Sequence, residues 1–230
     1  MSSRRVMAVF RKQLKDTLKN KEVLIQFLMF PVLSVIMSNA MTVPDMPANF
    51  FVHMFATMYV GMAPLTCMSA VIAEEKEKNT LRVLMMSNVR GTEYLLGLGA
   101  YVVAVCMAGS LIFGLQGGYR GLELAGFMGI MFCGILTSTV IGGVIGIGSR
   151  NQMAATSVTV PVMMIFSFLP MIAMFNRPVA LVSRWIYTQQ VNDLISKSAA
   201  GWQSFAVIAA NALAGITAFA VIYKKRGLLF

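Results

Sequence analysis

Charge is what this sequence has least of. Only 12% of its 230 residues are Asp, Glu, Lys or Arg, about half of the roughly 25% found in soluble globular chains. With so little polar covering, most of the surface must face lipid. Histidine is almost missing: the lone His53 cannot build a zinc site by itself. Glu74 and Glu75 are adjacent, but membrane-protease chemistry needs further His or Asn groups in the apolar core, and these are absent. The three cysteines, Cys67, Cys106 and Cys133, lie in apolar runs without CxxC spacing and read as small buried hydrophobes. A Gly-x4-Gly-Lys-Ser/Thr phosphate loop is missing, and Gly146 and Gly148 follow no strand, so neither common nucleotide-binding motif is present. The basic start lacks a short apolar region with an Ala-x-Ala-type site, so no cleavable signal peptide is expected.

What fills the chain is hydrophobic: 57% of residues, with a mean hydropathy of +0.73. Its length accommodates about six spans of roughly 20 residues with short connections. Six tracts fit: Val23 to Val43, Phe50 to Ala73, Glu93 to Gln116, Leu122 to Gly148, a fifth from Gln152 to near Phe175, and Gln203 to Tyr223. The expected fold is all-α and polytopic, one transmembrane domain over residues 1–230, in a cell membrane. Fifteen of the 19 Lys and Arg residues fall on one side of this arrangement and four on the other. The positive-inside rule then puts both termini in the cytoplasm. The net charge of +10 is accordingly a topology signal and not a nucleic-acid footprint.

Two stretches outside the spans are amphipathic. In residues 3–22, Val6, Val9, Phe10, Leu14 and Leu18 recur at helical spacing among basic residues, as in a helix lying on the inner membrane surface. In the outer segment, residues 176–202, Leu181, Val182, Trp185, Ile186, Leu194 and Ile195 form a second stripe, with Trp185 and Tyr187 suited to a headgroup belt. Ionisable groups are absent from the middle of every span, where a charge costs about 2.5–3.5 kcal/mol; Glu93 and Glu123 sit at span ends, and His53 reads as a helix-contact residue. Gln26, Asn39, Gln116 and Asn211 are polar but neutral. Small residues four apart, Gly114/Gly118, Gly142/Gly146 and Ala104/Ala108, allow close helix contact. The 20 methionines supply adaptable apolar surface, read first as core filling.

Residues 74–92 break the pattern. A charged start, with Glu74 and Lys78 at i,i+4, leads into Leu81, Leu84 and Met85 at helical spacing. Ser87-Asn88 then ends the helix, and Thr92 with Glu93 can cap the next span. A short helix with an apolar stripe open to the cytosol suits a protein partner; an ordinary solvated loop is the plainer alternative. The segment resembles the permeases of the ABC-2 family of ABC transporters. Glu75-Lys76-Glu77-Lys78-Asn79-Thr80-Leu81, then Ser87-Asn88-Val89-Arg90, then Tyr94-Leu95-Leu96-Gly97 carry the likeness. It departs at Arg82, where an acid is usual, at Asn88, where Pro is usual, and at Leu98, where Lys is usual. The likeness extends along the chain through the basic start, the six spans and the longer segment between spans five and six.

The resemblance implies that residues 74–92 are a coupling helix seated in a separate ABC ATPase subunit, with Glu74, Glu75, Glu77, Asn79, Thr80, Leu81, Leu84 and Arg90 at the contact. It implies that residues 1–22 hold an interface helix, and that two permease chains, identical or different, pair around a path. ATP and magnesium would then sit on the partner subunit, with no cofactor and no enzymatic activity on this chain. Pro31, Pro64, Pro161 and Met163 are candidates for the path, with prolines acting either as flexible points or as kinks that shape the bundle. Export of an amphipathic or cytotoxic peptide is the first expectation, efflux of a hydrophobic drug or lipid the second. A non-transporting scaffold or sensor is the rival from another class.

Overall fold

The computed structural model describes residues 2–19, 21–41, 49–87, 89–197 and 201–226. Among these all regular structure is helical, in the order α1 (Ser3–Lys19), α2 (Lys21–Ala40), α3 (Phe50–Glu77), α4 (Thr80–Met86), α5 (Gly91–Gln116), α6 (Gly121–Gly148), α7 (Gln152–Ala173), α8 (Arg177–Ser183), α9 (Tyr187–Ile195) and α10 (Trp202–Arg226). Five of them, α3, α5, α6, α7 and α10, are long and apolar enough to cross a membrane. The chain is membrane-embedded. In α2 the apolar stretch, Phe27–Ala40, is shorter. The expected end of the first span at Val43, the Asn88 position and the Gln26 side chain lie outside the described residues.

Helix α3 is the centre of the bundle. It packs against α2, α5, α6 and α7, and its residues are buried along most of their length. The closest approaches are made through glycine, because a backbone without Cβ lets two helices touch. On α6, a Cβ at Gly142 would lie 3.0 Å from the Leu65 Cα, and one at Gly146 would lie 2.9 Å from the Ile72 Cβ. The Gly142/Gly146 pair is thus the α3–α6 seam. Gly61 seats α3 on α7 in the same way, 2.9 Å from the Phe166 carbonyl carbon. The other two small pairs behave differently. Gly118 is part of the α5–α6 turn at φ +73, where glycine's freedom is required, and Ala104 and Ala108 are exposed.

At one end of the bundle, α8 and α9 replace the single surface stripe expected between spans five and six. Asn176 accepts from the Val179 N–H (3.2 Å) to start α8, and a turn over residues 184–186 separates it from α9. Trp185 is 65% exposed, as a belt residue would be, but Tyr187 is fully buried. Its hydroxyl reaches Ser138 on α6 at 2.7 Å, and its ring packs on Phe166 of α7. A tyrosine that finds an internal hydroxyl partner has no reason to stay at the headgroup level. Farther along α9, Val191 packs against Gly134 on α6.

The N-terminal helix does not simply lie beside the bundle. Val9, Gln13 and Thr17, four residues apart, form a buried stripe that faces α5. Gly97 of α5 is the contact point: a Cβ there would lie 2.7 Å from the Val6 carbonyl oxygen. Thr17 hydrogen-bonds the hydroxyl of Tyr101, also on α5. Leu18, expected on the apolar face, is exposed.

Candidate functional site

Five consecutive residues, Glu74 to Lys78, form the last turn of α3 and its exit, at the end where α1 docks. Successive residues on a helix point about 100° apart, so one turn of charges addresses several neighbours. Glu74 accepts from Lys78 (2.5 Å), the i,i+4 pair read in the sequence, and holds that ammonium's pKa above its ordinary range. Glu75 turns inward and is buried; its Oε1 accepts from Lys12 Nζ and from Gln13 Nε2 (2.6 Å) of α1. The Tyr94 hydroxyl lies beside the same carboxylate. Lys76 donates to the Ile147 and Ser149 carbonyls (2.9 and 2.6 Å), satisfying the C-terminus of α6 with a cation. Glu77 accepts from the Gln152 N–H (2.8 Å), placing an anion at the N-terminus of α7. One turn of α3 therefore fastens three other helices.

A second carboxylate repeats the clamp on α1. Glu93, buried in the first turn of α5, accepts from the Ser2 backbone N–H (2.6 Å) and the Arg90 N–H (3.1 Å), and lies 3.6 Å from Arg5 Nη1. The N-cap of α5 is Arg90, whose N–H Glu93 takes up; Thr92 lies inside the first turn and does not cap it.

Between these anchors, Asn79 adopts the left-handed conformation (φ 57) that ends α3 and redirects the chain into α4. Thr80 donates to the Glu75 carbonyl (3.2 Å) across the break. In α4, Leu81 is fully buried, and Leu84 and Met85 pack half-buried on the core. The stripe expected to face the cytosol instead holds α4 to the bundle, because three apolar side chains on one face gain more by covering the helix ends than by remaining wet. The opposite face is the open one: Arg82, Val83 (62% exposed) and Met86 (79% exposed). Asn79, Thr80 and Arg90 are exposed as well.

Of the eight residues expected at a coupling contact, then, Glu75 and Leu81 point inward, and Glu74 and Glu77 carry internal bonds. The partners Lys12, Gln13, Ile147, Ser149 and Gln152 were not singled out as contacts by the sequence, which holds no signal for contacts between residues so far apart in the chain. The candidate path residues are not gathered in one place. Pro31 and Pro64 are buried in the bundle, Pro161 is on the exposed face of α7, and Met163 is half-buried. The α3–α7 seam nearby is closed, with Ser69 and Thr159 hydroxyls 2.7 Å apart and the Ser167 hydroxyl donating to the Met58 carbonyl (3.2 Å). Cys67 and Cys106 are buried and all three cysteines are free; His53 of α3 hydrogen-bonds the hydroxyl of Tyr119 (2.7 Å) in the α5–α6 connection. Among the described residues, no group of three His, Cys, Asp or Glu side chains is placed to hold a metal ion.

No protein-family model matches the chain, and no curated protein matches it.

Proposed function

We propose that the chain is the membrane-spanning permease subunit of an ATP-driven exporter, built of six spans with α2 as the first, both termini in the cytoplasm of a cell-membrane protein. The observation that carries this reading is α4: a short helix held on the end of the bundle, its apolar face locked inward and Arg82, Val83 and Met86 left open. Its base is fastened through Glu75, Lys76 and Glu77 to α1, α6 and α7. An ATPase subunit seated on the open face, with ATP and magnesium bound by that subunit, would move these helices together. The resemblance of residues 74–92 to the ABC-2 permeases supports the same assignment.

Two copies, or this chain and a similar one, enclose the path in this reading. Helices α2 and α7 both pack on α3 without substantial contact with each other, and both carry broad exposed apolar faces. The cargo that suits uncharged, Met- and Phe-rich spans is an amphipathic peptide; hydrophobic drugs or lipids are the second choice.

The test is copurification from native membranes with ATPase activity as the readout. Replacing Val83 and Met86 by Glu should remove the associated ATPase activity, while Leu122→Glu, an exposed change on α6 at the other end, should leave it. Equal ATPase activity with wild type and the double variant would sink the coupling role. A scaffold would show no energy-dependent export from reconstituted vesicles even with its partners bound.

A further inference from the structure

At the end of the bundle opposite α4, a cavity of 320 Å³ opens between the first turn of α3, the end of α7 and the α8–α9 pair. Its volume is at the small end of the range for ligand sites, about 300–1,000 Å³. Phe50 and Met174 supply apolar surface to the lining, and His53, Gln189, Asn192 and Asp193 supply polar groups. Among the described residues, Asp193 is the one acidic side chain in the lining. Its bonds to the protein are neutral: Gln189 Nε2 donates to Oδ1 at 2.8 Å, and Asn192 is a second hydrogen-bonding neighbour.

Among the described residues no cation forms an ion pair with Asp193. His53 is bonded to Tyr119, and Lys197 pairs with Glu123 (3.2 Å). Arg184 lines a second cavity of 460 Å³ together with Asp193, but its guanidinium lies 5.3 Å from the Trp185 ring centroid and makes no ion pair with the carboxylate. Burial raises the pKa of the Asp193 carboxyl above its ordinary range, as expected of a carboxylate short of counter-charge. Such a group gains more from an arriving cation than an exposed aspartate would.

We propose that this cavity binds an amphipathic cation, its ammonium or guanidinium paired with Asp193 and its apolar body against Phe50 and Met174. A basic side chain of a peptide and a small hydrophobic amine share this chemistry. The proposal names a cargo class for the export path and rests on the export reading for the direction of movement only; binding does not depend on it.

The experiment is calorimetric titration of the purified full chain in detergent, at mildly alkaline pH, with phenethylammonium and with the uncharged 2-phenylethanol. Wild type should bind the ammonium saturably and about tenfold or more tighter than the alcohol, the lower end of what an opposite charge gives a partly buried carboxylate. Asp193→Asn preserves shape and the acceptor for Gln189, and should abolish that preference. Ala173→Phe, which fills the cavity, should remove saturable binding of both probes. Equal ammonium affinity in wild type and Asp193→Asn, or an alcohol bound as tightly as the ammonium, overturns the proposal. Cation binding without an associated ATPase would leave this site standing and remove the exporter; ATP-driven export without cation preference would do the reverse.

Discussion

Breaking the Lys12–Glu75 pair should weaken α1 docking by amounts that depend on which partner is removed. The Glu75 side chain is 8% exposed, whereas Lys12 is 36% exposed. With Glu75→Gln, the Lys12 ammonium turns to water and to Asp16, 3.8 Å away, and Gln13 still has an oxygen to donate to. The loss is one partly screened ion pair, about 1 kcal/mol. With Lys12→Met, the carboxylate stays under α1 with Gln13 donating to it and the Tyr94 hydroxyl beside it, so docking must bear its desolvation. Removing one partner of a fully buried pair costs about 3–5 kcal/mol; the exposure of Lys12 and the remaining Gln13 bond reduce this to about 2–3 kcal/mol. The readout is hydrogen exchange of α1 amides in detergent or nanodiscs, where the free energy of local opening sets the rate. Lys12→Met should accelerate exchange roughly 30-fold or more and Glu75→Gln roughly fivefold, since about 1.4 kcal/mol is a factor of ten. Equal effects, or a larger one from Glu75→Gln, would refute the asymmetry argument and with it the claim that burial of the carboxylate dominates this clamp.

Three further outcomes follow from the packing and charge around α3 and α9. Gly142→Val should lower stability by about 1–3 kcal/mol through overpacking on Leu65 and Met68, read as a lower unfolding midpoint, whereas Gly126→Ala, with open space at its Cβ, should change little. Glu77→Ala removes the acceptor for the Gln152 N–H and should cost about 0.5–1 kcal/mol, seen as faster exchange confined to the first turn of α7. For Asp193, burial raises the folded-state pKa, so the folded chain binds more protons between its unfolded and folded values, and stability falls as pH rises through that window. Asp193→Asn should therefore raise the unfolding midpoint at neutral pH and lose that advantage at pH below the ordinary aspartate range; an advantage that persists there would contradict the assignment.

Hydrophobic length made the spans legible. The tract read as Leu122 to Gly148 is α6 at Gly121–Gly148, and the one read from Glu93 to Gln116 is α5 at Gly91–Gln116, because long apolar runs bounded by turn residues have one economical conformation in lipid. The charged end of α3 was legible as a place but not as a set of contacts. Spacing identified the Glu74–Lys78 pair, which is local, but it holds no information on whether Glu75 faces α1 or water. That depends on Lys12, 63 residues away, and on the tilt of α1 against Gly97. Periodicity likewise placed Leu81, Leu84 and Met85 on one face of α4 without saying which way that face turns. Tyr187 was misplaced for the same reason: its amphipathic character fits a membrane interface equally well, and only the position of Ser138 decides for the interior.

The fastening of α3 limits which motions an energy source at α4 could drive. At 28 residues, α3 is about 42 Å long, with the charged turn at one end and the Phe50–His53 wall of the cavity at the other. Its seams with α6 and α7 run through Gly61, Gly142 and Gly146, where backbones already touch, and closely packed seams of this kind do not slide by small increments. Lys76 and Glu77 tie the same two helices at the end nearest α4. On the exporter reading, a push on α4 would therefore turn α3, α6 and α7 as one body, and the opening would have to occur where that body meets something less tightly held. Within the chain the candidate is α2, which packs on α3 and α5 while leaving Ile25, Val32 and Ile36 uncovered; between chains it is the exposed face of α7. Both flank α3, so a path that opens there would have α3 as its wall.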